Sequence, residues 1–141
     1  MAGSTTTDKH PSPICLTKMG PFFANLPLYQ AMGNTLDTDA NFLMALSSLE
    51  SGWLDSHNRG LHNLFGVTNA GGNNLSFASY NKSADFWIAH FGSYVQGSHT
   101  MADFAAGLKK AKYNSVNPHY YTGLIKQLDT IIKYRKACGI P

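Results

Sequence analysis

N-F-L-M-A-L-S-S-L-E-S-G-W-L-D-S-H-N-R-G-L-H-N-L-F-G, residues 41–66, is the stretch on which the fold of the chain turns. Leu43, Leu46 and Glu50 stand at i, i+3 and i+7, so on a helix they share one face. Leu49 and Trp53 flank that face, and Gly52 is placed to end the helix. Of the chain's eight acidic residues seven are Asp, and the single Glu is Glu50. It is the last polar group on an otherwise apolar stripe. Burial disfavours the charged form of a carboxyl and raises its pKa. A carboxyl kept protonated near neutral pH can give a proton to a leaving group. A solvated Glu at a helix end is the simpler account of the residue alone; the residues on its C-terminal side argue for the acid.

Outward from this stretch, Thr38 or Asp39 can cap the helix, which runs to about Ser51. Upstream, Phe22, Phe23, Leu26, Leu28 and Tyr29, broken by Pro21 and Pro27, predict one or two short helices within 14–32, then a turn at 33–37. Residues 1–13 are polar and Pro-punctuated and read as a tail. The division expected is a linker or tail over 1–20 and one folded domain over 21–141. Downstream, 55–62 reads as a loop. Two strand-like pieces, 63–68 and 75–80, flank the turn signal N-A-G-G-N-N and predict a hairpin. Ser83 is the expected cap of a helix over 84–95. Thr100 and Asp103 resemble a capping box before a helix over 101–111. Asn117 and Pro118 predict the start of a last helix carrying Tyr121, Leu124, Ile125, Leu128, Ile131 and Ile132 at helical spacing, with Gly139 and Pro141 ending it.

With 141 residues, 43% hydrophobic and 13% charged, the chain has the makeup of one globular domain. No apolar run approaches the roughly 18 residues of a membrane span. The first residues lack an apolar h-region, so no Sec-type signal peptide is expected. The net charge of +3 is spread, with clusters at Lys109, Lys110 and Lys112 and at Lys126, Lys133, Arg135 and Lys136. This is too sparse for a nucleic-acid binder and suits either an anionic polymer or solvated helix faces. Cys15 and Cys138 lie near the two ends; a disulfide and two buried thiols both fit, and there is no C-x-x-C. His57 and His62 are five apart with no acid between them, so H-E-x-x-H is absent. There is no G-x-S-x-G, and Gly71 and Gly72 lack a P-loop lysine. No metal or cofactor is expected.

Four segments together carry a resemblance: L-E-S-G-W at 49–53, N-L-F-G-V at 63–67, F-A-S-Y-N-K-S at 77–83 and A-K-Y-N-S-V-N-P-H-Y at 111–120. Over about 38–134 the chain resembles the bacterial glucosaminidase-type peptidoglycan hydrolases, the family of autolysins and flagellar muramidase-type domains. The resemblance implies a lysozyme-like α+β fold, mainly α, with a helical body, a small β-hairpin lobe and an active-site cleft. It implies that Glu50 is the general acid and Tyr113 a cleft tyrosine that positions substrate or assists the reaction. It implies that Asn63, Phe65 and Gly66 begin the hairpin lining the glycan groove. Trp53 and Tyr80 are candidates for stacking on sugar rings or packing beside Glu50. Large aromatics mostly serve burial, so core roles for Trp53 and Phe65 stay open, and Trp87 is assigned to the core.

Glycoside cleavage needs an acid on the bridging oxygen and something to handle the oxocarbenium-like carbon. Residues 63–80 contain no acid, which departs from a two-carboxylate site. Asp55 is the nearest candidate base, and Asp85 is more simply a first-turn acid at a helix start. Routes without a second carboxylate use the substrate's N-acetyl group or, as in lytic transglycosylases, its 6-hydroxyl. The expected substrate is the β-1,4-linked GlcNAc–MurNAc backbone of peptidoglycan, acted on in the periplasm or at the cell wall by a monomer. Neither nucleic acid nor membrane is an expected partner. The settings implied are a delivered antibacterial toxin, with an immunity protein plugging the cleft, or a phage lysis enzyme. The rivals are a lytic transglycosylase and a wall-binding module without activity.

Overall fold

A computed structural model describes residues 20–113 and 118–141. The tail over 1–13, Cys15, Asn114 and Asn117 therefore lie outside the described residues. The order of elements is α1 (Gly20–Phe23), α2 (Leu26–Leu36), α3 (Ala40–Ser51), α4 (Ser56–Leu61), a long loop, α5 (Tyr80–Trp87), a π turn (Ile88–Gly92), α6 (Ser93–Val95), α7 (Met101–Lys110) and α8 (Tyr120–Ala137).

Helix α3 is the axis of the molecule. Asp39 caps it by accepting from Asn41 N, and Gly52 ends it in the left-handed conformation. Every residue from Phe42 to Ser48 is buried, so the helix is enclosed all round rather than along one stripe. It packs between α2 and α8. Arg135 near the end of α8 donates to Asn41 Oδ1 at 2.6 Å, and Gln127 donates to Ser48 Oγ at 3.1 Å. Phe23 of α1 stacks on Tyr134 of α8 with ring centroids 4.4 Å apart.

Four boundaries differ from the sequence reading. Gly33 is not in a turn but inside α2, which ends at Asp37 in the left-handed region. A Cβ on Gly33 would lie 2.8 Å from Thr38 O, so the missing side chain lets the start of α3 cross closely. Residues 56–61 form α4 rather than loop, because Asp55 supplies the cap, accepting from Asn58 N at 2.9 Å. Helix α5 starts at Tyr80 with Ser79 as its cap, whereas Ser83 is buried and accepts from Leu64 N. Thr100 caps α7 as its sequence signals. The last helix begins two residues beyond Pro118, at Tyr120.

The β-hairpin lobe is corrected as well. Among the described residues there is no strand, only one antiparallel bridge, Thr68 to Asn74. The turn N-A-G-G-N-N does reverse the chain, with Asn69 Oδ1 accepting from Gly71 N and Asn73 N. Leu75 N donates to Val67 O and Asn69 N to Asn73 O across the turn, but the ladder goes no further because a side chain takes the next pair of groups. Buried Asn63 accepts from Val67 N and donates to both Val67 O and Leu75 O. Val67 N and Leu75 O are thus satisfied by Asn63 rather than by each other.

Candidate active site

The serines around Glu50 explain how its surroundings are built. Ser47 Oγ donates to Leu64 O at 2.5 Å and therefore accepts from the buried Tyr29 hydroxyl at 2.6 Å. Ser83 Oγ accepts from Leu64 N at 3.0 Å. Both backbone polar groups of Leu64 are thus held by buried side chains, which fixes the loop against α3 and α5. The chain leaves α3 through three consecutive left-handed residues, Gly52, Trp53 and Leu54. Ser51 stabilises that turn by accepting from Leu54 N and donating to Ser47 O.

Gly66 passes directly over the last turn of α3. Its φ is +58°, and a Cβ there would lie 2.2 Å from Glu50 O, so any side chain would collide with the backbone. The loop is therefore seated on the residue whose carboxyl opens into the cleft. Glu50, Phe65, Gly66, Val67 and Thr68 form one wall. Phe86, His90, Phe91, Ala111, Lys112 and Tyr113 form the rest.

Glu50 is half-buried, and burial raises its pKa above the ordinary carboxylate value. The Tyr120 hydroxyl, from the first turn of α8, donates to Glu50 Oε2 at 2.5 Å and partly offsets that rise. The net effect is upward, toward the protonated form that a general acid needs. Tyr113 lines the same cleft as Glu50, its oxygen accepting from Trp87 Nε1 at 3.3 Å. Since indole N–H only donates, the Tyr113 proton stays available to the cleft. The pKa values of Tyr113 and Tyr120 are both driven up, first by burial and then by nearby groups that include Glu50. Both are therefore neutral hydrogen-bond donors at working pH, not bases.

A family model for mannosyl-glycoprotein endo-beta-N-acetylglucosaminidases matches residues 26–133. The chain belongs to the glucosaminidase family. No curated protein matches it. Among solved structures, a peptidoglycan hydrolase from Sphingomonas sp. A1 superposes with a TM-score of 0.71 at 20% identity, over 84% of this chain and 94% of that one. A chain in a type VI secretion system effector–immunity complex from Pseudomonas protegens superposes with a TM-score of 0.70 at 24% identity, over 91% of this chain and 99% of that one. At these identities the two neighbours establish the fold.

In this member of the glucosaminidase family the residues singled out in the sequence separate into three groups. Glu50, Tyr113, Gly66 and Phe65 come together at the cleft. Phe65 is also core, 1% exposed and stacked on Trp87 at 4.9 Å. Asn63 is the buried clasp of the loop and shows no face to the cleft. Trp53, Tyr80 and Asp55 do not line it. Trp53 packs edge-on against Phe22 at 5.2 Å, and Tyr80 packs edge-on against His62 at 5.1 Å. Asp55 is exposed, and its Oδ1 accepts from Asn58 N and Asn58 Nδ2. Asp85 is exposed on α5. Cys138 is disulfide-bonded, while Cys15 lies outside the described residues.

Sequence reasoning missed Tyr120, His90 and Phe86. Tyr120 stands at the end of the 111–120 segment, but nothing local marks which of its tyrosines reaches Glu50. The described residues contain no group of three or more His, Cys, Asp or Glu side chains able to hold a metal ion. No described helix is long and apolar enough to cross a membrane.

Proposed function

We propose that this glucosaminidase cleaves β-1,4 glycosidic bonds in the GlcNAc–MurNAc backbone of peptidoglycan, with Glu50 as proton donor. The observation that carries the reading is the half-buried Glu50 carboxyl, its pKa raised and its oxygen held by Tyr120, opening into a cleft. Glu50 protonates the bridging oxygen. The neutral hydroxyls of Tyr113 and Tyr120 orient the acid and the sugar beside it. The likeness to a peptidoglycan hydrolase and to a chain of an effector–immunity complex supports action on the cell wall as an antibacterial effector. It also supports an immunity protein as the partner that covers the cleft.

Among the described residues Glu50 is the one carboxylate lining the cleft. The sequence of 114–117, N-S-V-N, adds none. That favours a route without a second carboxylate, in which the substrate's acetamido group or its 6-hydroxyl meets the oxocarbenium-like carbon. The test is digestion of purified peptidoglycan by the wild type and Glu50→Gln in parallel, with borohydride reduction and mass spectrometry. Reduced GlcNAc ends are the result expected of a glucosaminidase. Reduced MurNAc ends move the cut to the other bond, and anhydro-MurNAc ends make the enzyme a transglycosylase. Undiminished product from Glu50→Gln sinks the assignment. Retained wall binding without wild-type products replaces catalysis with a binding module.

A further inference from the structure

The wall across from the 65–68 loop holds a group that the acid chemistry does not use. Phe86 and His90 are one helical turn apart and stack face to face, with ring centroids 3.9 Å apart and planes 21° apart. Phe77 closes the stack from behind, edge-on to Phe86 at 5.4 Å. The order is therefore Phe77, Phe86, His90, with exposed His90 outermost on the cleft wall.

The chain sets this geometry with a π turn over Ile88–Gly92, in the middle of what the sequence reads as one regular helix. Such single turns re-aim side chains and recur at functional sites. The His90 ring is fixed in rotation because Nδ1 lies 2.9 Å from Phe86 O. A carbonyl oxygen only accepts, so Nδ1 carries the proton and Nε2 of the neutral ring is an acceptor. Nε2 has no protein partner among the described residues. An exposed aromatic face with one oriented acceptor is the combination that binds an amphipathic ring: the apolar C–H face against the π face, and an N–H or O–H on the acceptor.

We infer that His90, braced by Phe86, is the substrate-positioning platform of the cleft, taking one pyranose ring of the glycan on its open face and an N–H or O–H of that sugar on Nε2. The inference rests on the proposed glycan substrate and deepens it. A platform that only holds a ring contributes to binding, so His90→Ala raises KM about tenfold while kcat stays within about twofold. His90→Phe keeps the face and loses the acceptor, and its KM falls between the two.

The test uses soluble uncrosslinked glycan strands in two arms. The first is steady-state kinetics of the wild type, His90→Ala and His90→Phe, with melting temperatures measured alongside. The second is equilibrium binding of the same strands to Glu50→Gln and to Glu50→Gln/His90→Ala, which does not depend on turnover. An affinity loss of about tenfold in the double variant, at an unchanged melting temperature, supports the platform. Equal affinity of the two, or a fall in kcat at constant KM in the first arm, overturns it. Failure of Glu50→Gln to bind the strands at all overturns it too. Failure of the proposed hydrolysis reads differently: no products in the first arm, whatever the second arm gives.

Discussion

The end of α3 and the start of α4 each carry one carboxylate, five residues apart, and the two have opposite surroundings. Glu50 is half-buried, faces the cleft and accepts a hydrogen bond from Tyr120, seventy residues away in the chain. Asp55 is exposed and spends its Oδ1 on the backbone and side chain of Asn58. Both are acids beside a helix end, yet one is raised toward its protonated form by burial and the other serves as a cap. Proximity in sequence to Glu50 says little about chemistry. What packs over the carboxyl decides it.

The most severe challenge to this contrast is Glu50→Gln. Activity on peptidoglycan is expected to fall by about a thousandfold or more, within the range for loss of a general acid. The same variant tests the effect of burial. Because the folded pKa of Glu50 lies above its unfolded value, the native state binds the extra proton. Its stability is full below the ordinary carboxylate pKa and declines as pH rises through the raised value. Glu50→Gln removes that decline, so at neutral pH it melts no lower than the wild type. A lower melting temperature at neutral pH would mean that Glu50 is stabilising as a charge.

Gly66→Ala comes next. The new Cβ would strike the backbone carbonyl of Glu50, and a left-handed φ disfavours alanine besides. The loop must lift from α3, with about a hundredfold loss of activity and about 1–3 kcal/mol of stability, read from rates and denaturant melts. Wild-type rates would show that the loop need not sit on Glu50.

Tyr120→Phe probes the contrast from the other side. Removing a donor to the carboxylate raises the Glu50 pKa further, so the alkaline limb of the pH–rate profile moves to higher pH. The maximal rate drops by about tenfold as the carboxyl loses its anchor. A shift of that limb to lower pH would contradict the assigned bond. The smallest effect belongs to Asp55. Asp55→Ala costs about 1 kcal/mol as a lost N-cap, and Asp55→Asn restores most of it, with activity per folded molecule nearly unchanged in both. A collapse of activity in Asp55→Asn at unchanged stability would make Asp55 the missing base and erase the contrast.

Much of the helical body was legible because its signals are local. Apolar spacing placed α3 and α8, Gly52 ended α3, and Thr100 capped α7. The misses have one physical origin, which is contact between segments distant in the chain. Asn63 replaced a strand ladder, Ser83 served Leu64 rather than a helix end, and Gly33 belonged to a crossing of two helices. Each competes with a local propensity and wins through burial.

Two things were written in the chain alone: a lone Glu closes the apolar stripe of a helix, and four ordered motifs mark a glucosaminidase. Periodicity and helix stops act within a few residues, and the motifs lie in the order of the chain. Folding in three dimensions was needed to set Tyr120 on Glu50, to make Asp55 a cap, and to aim His90 into the cleft through a π turn. Those outcomes depend on which surfaces meet when α2, α8 and the loop after α4 close around α3, and no short stretch of sequence encodes that meeting.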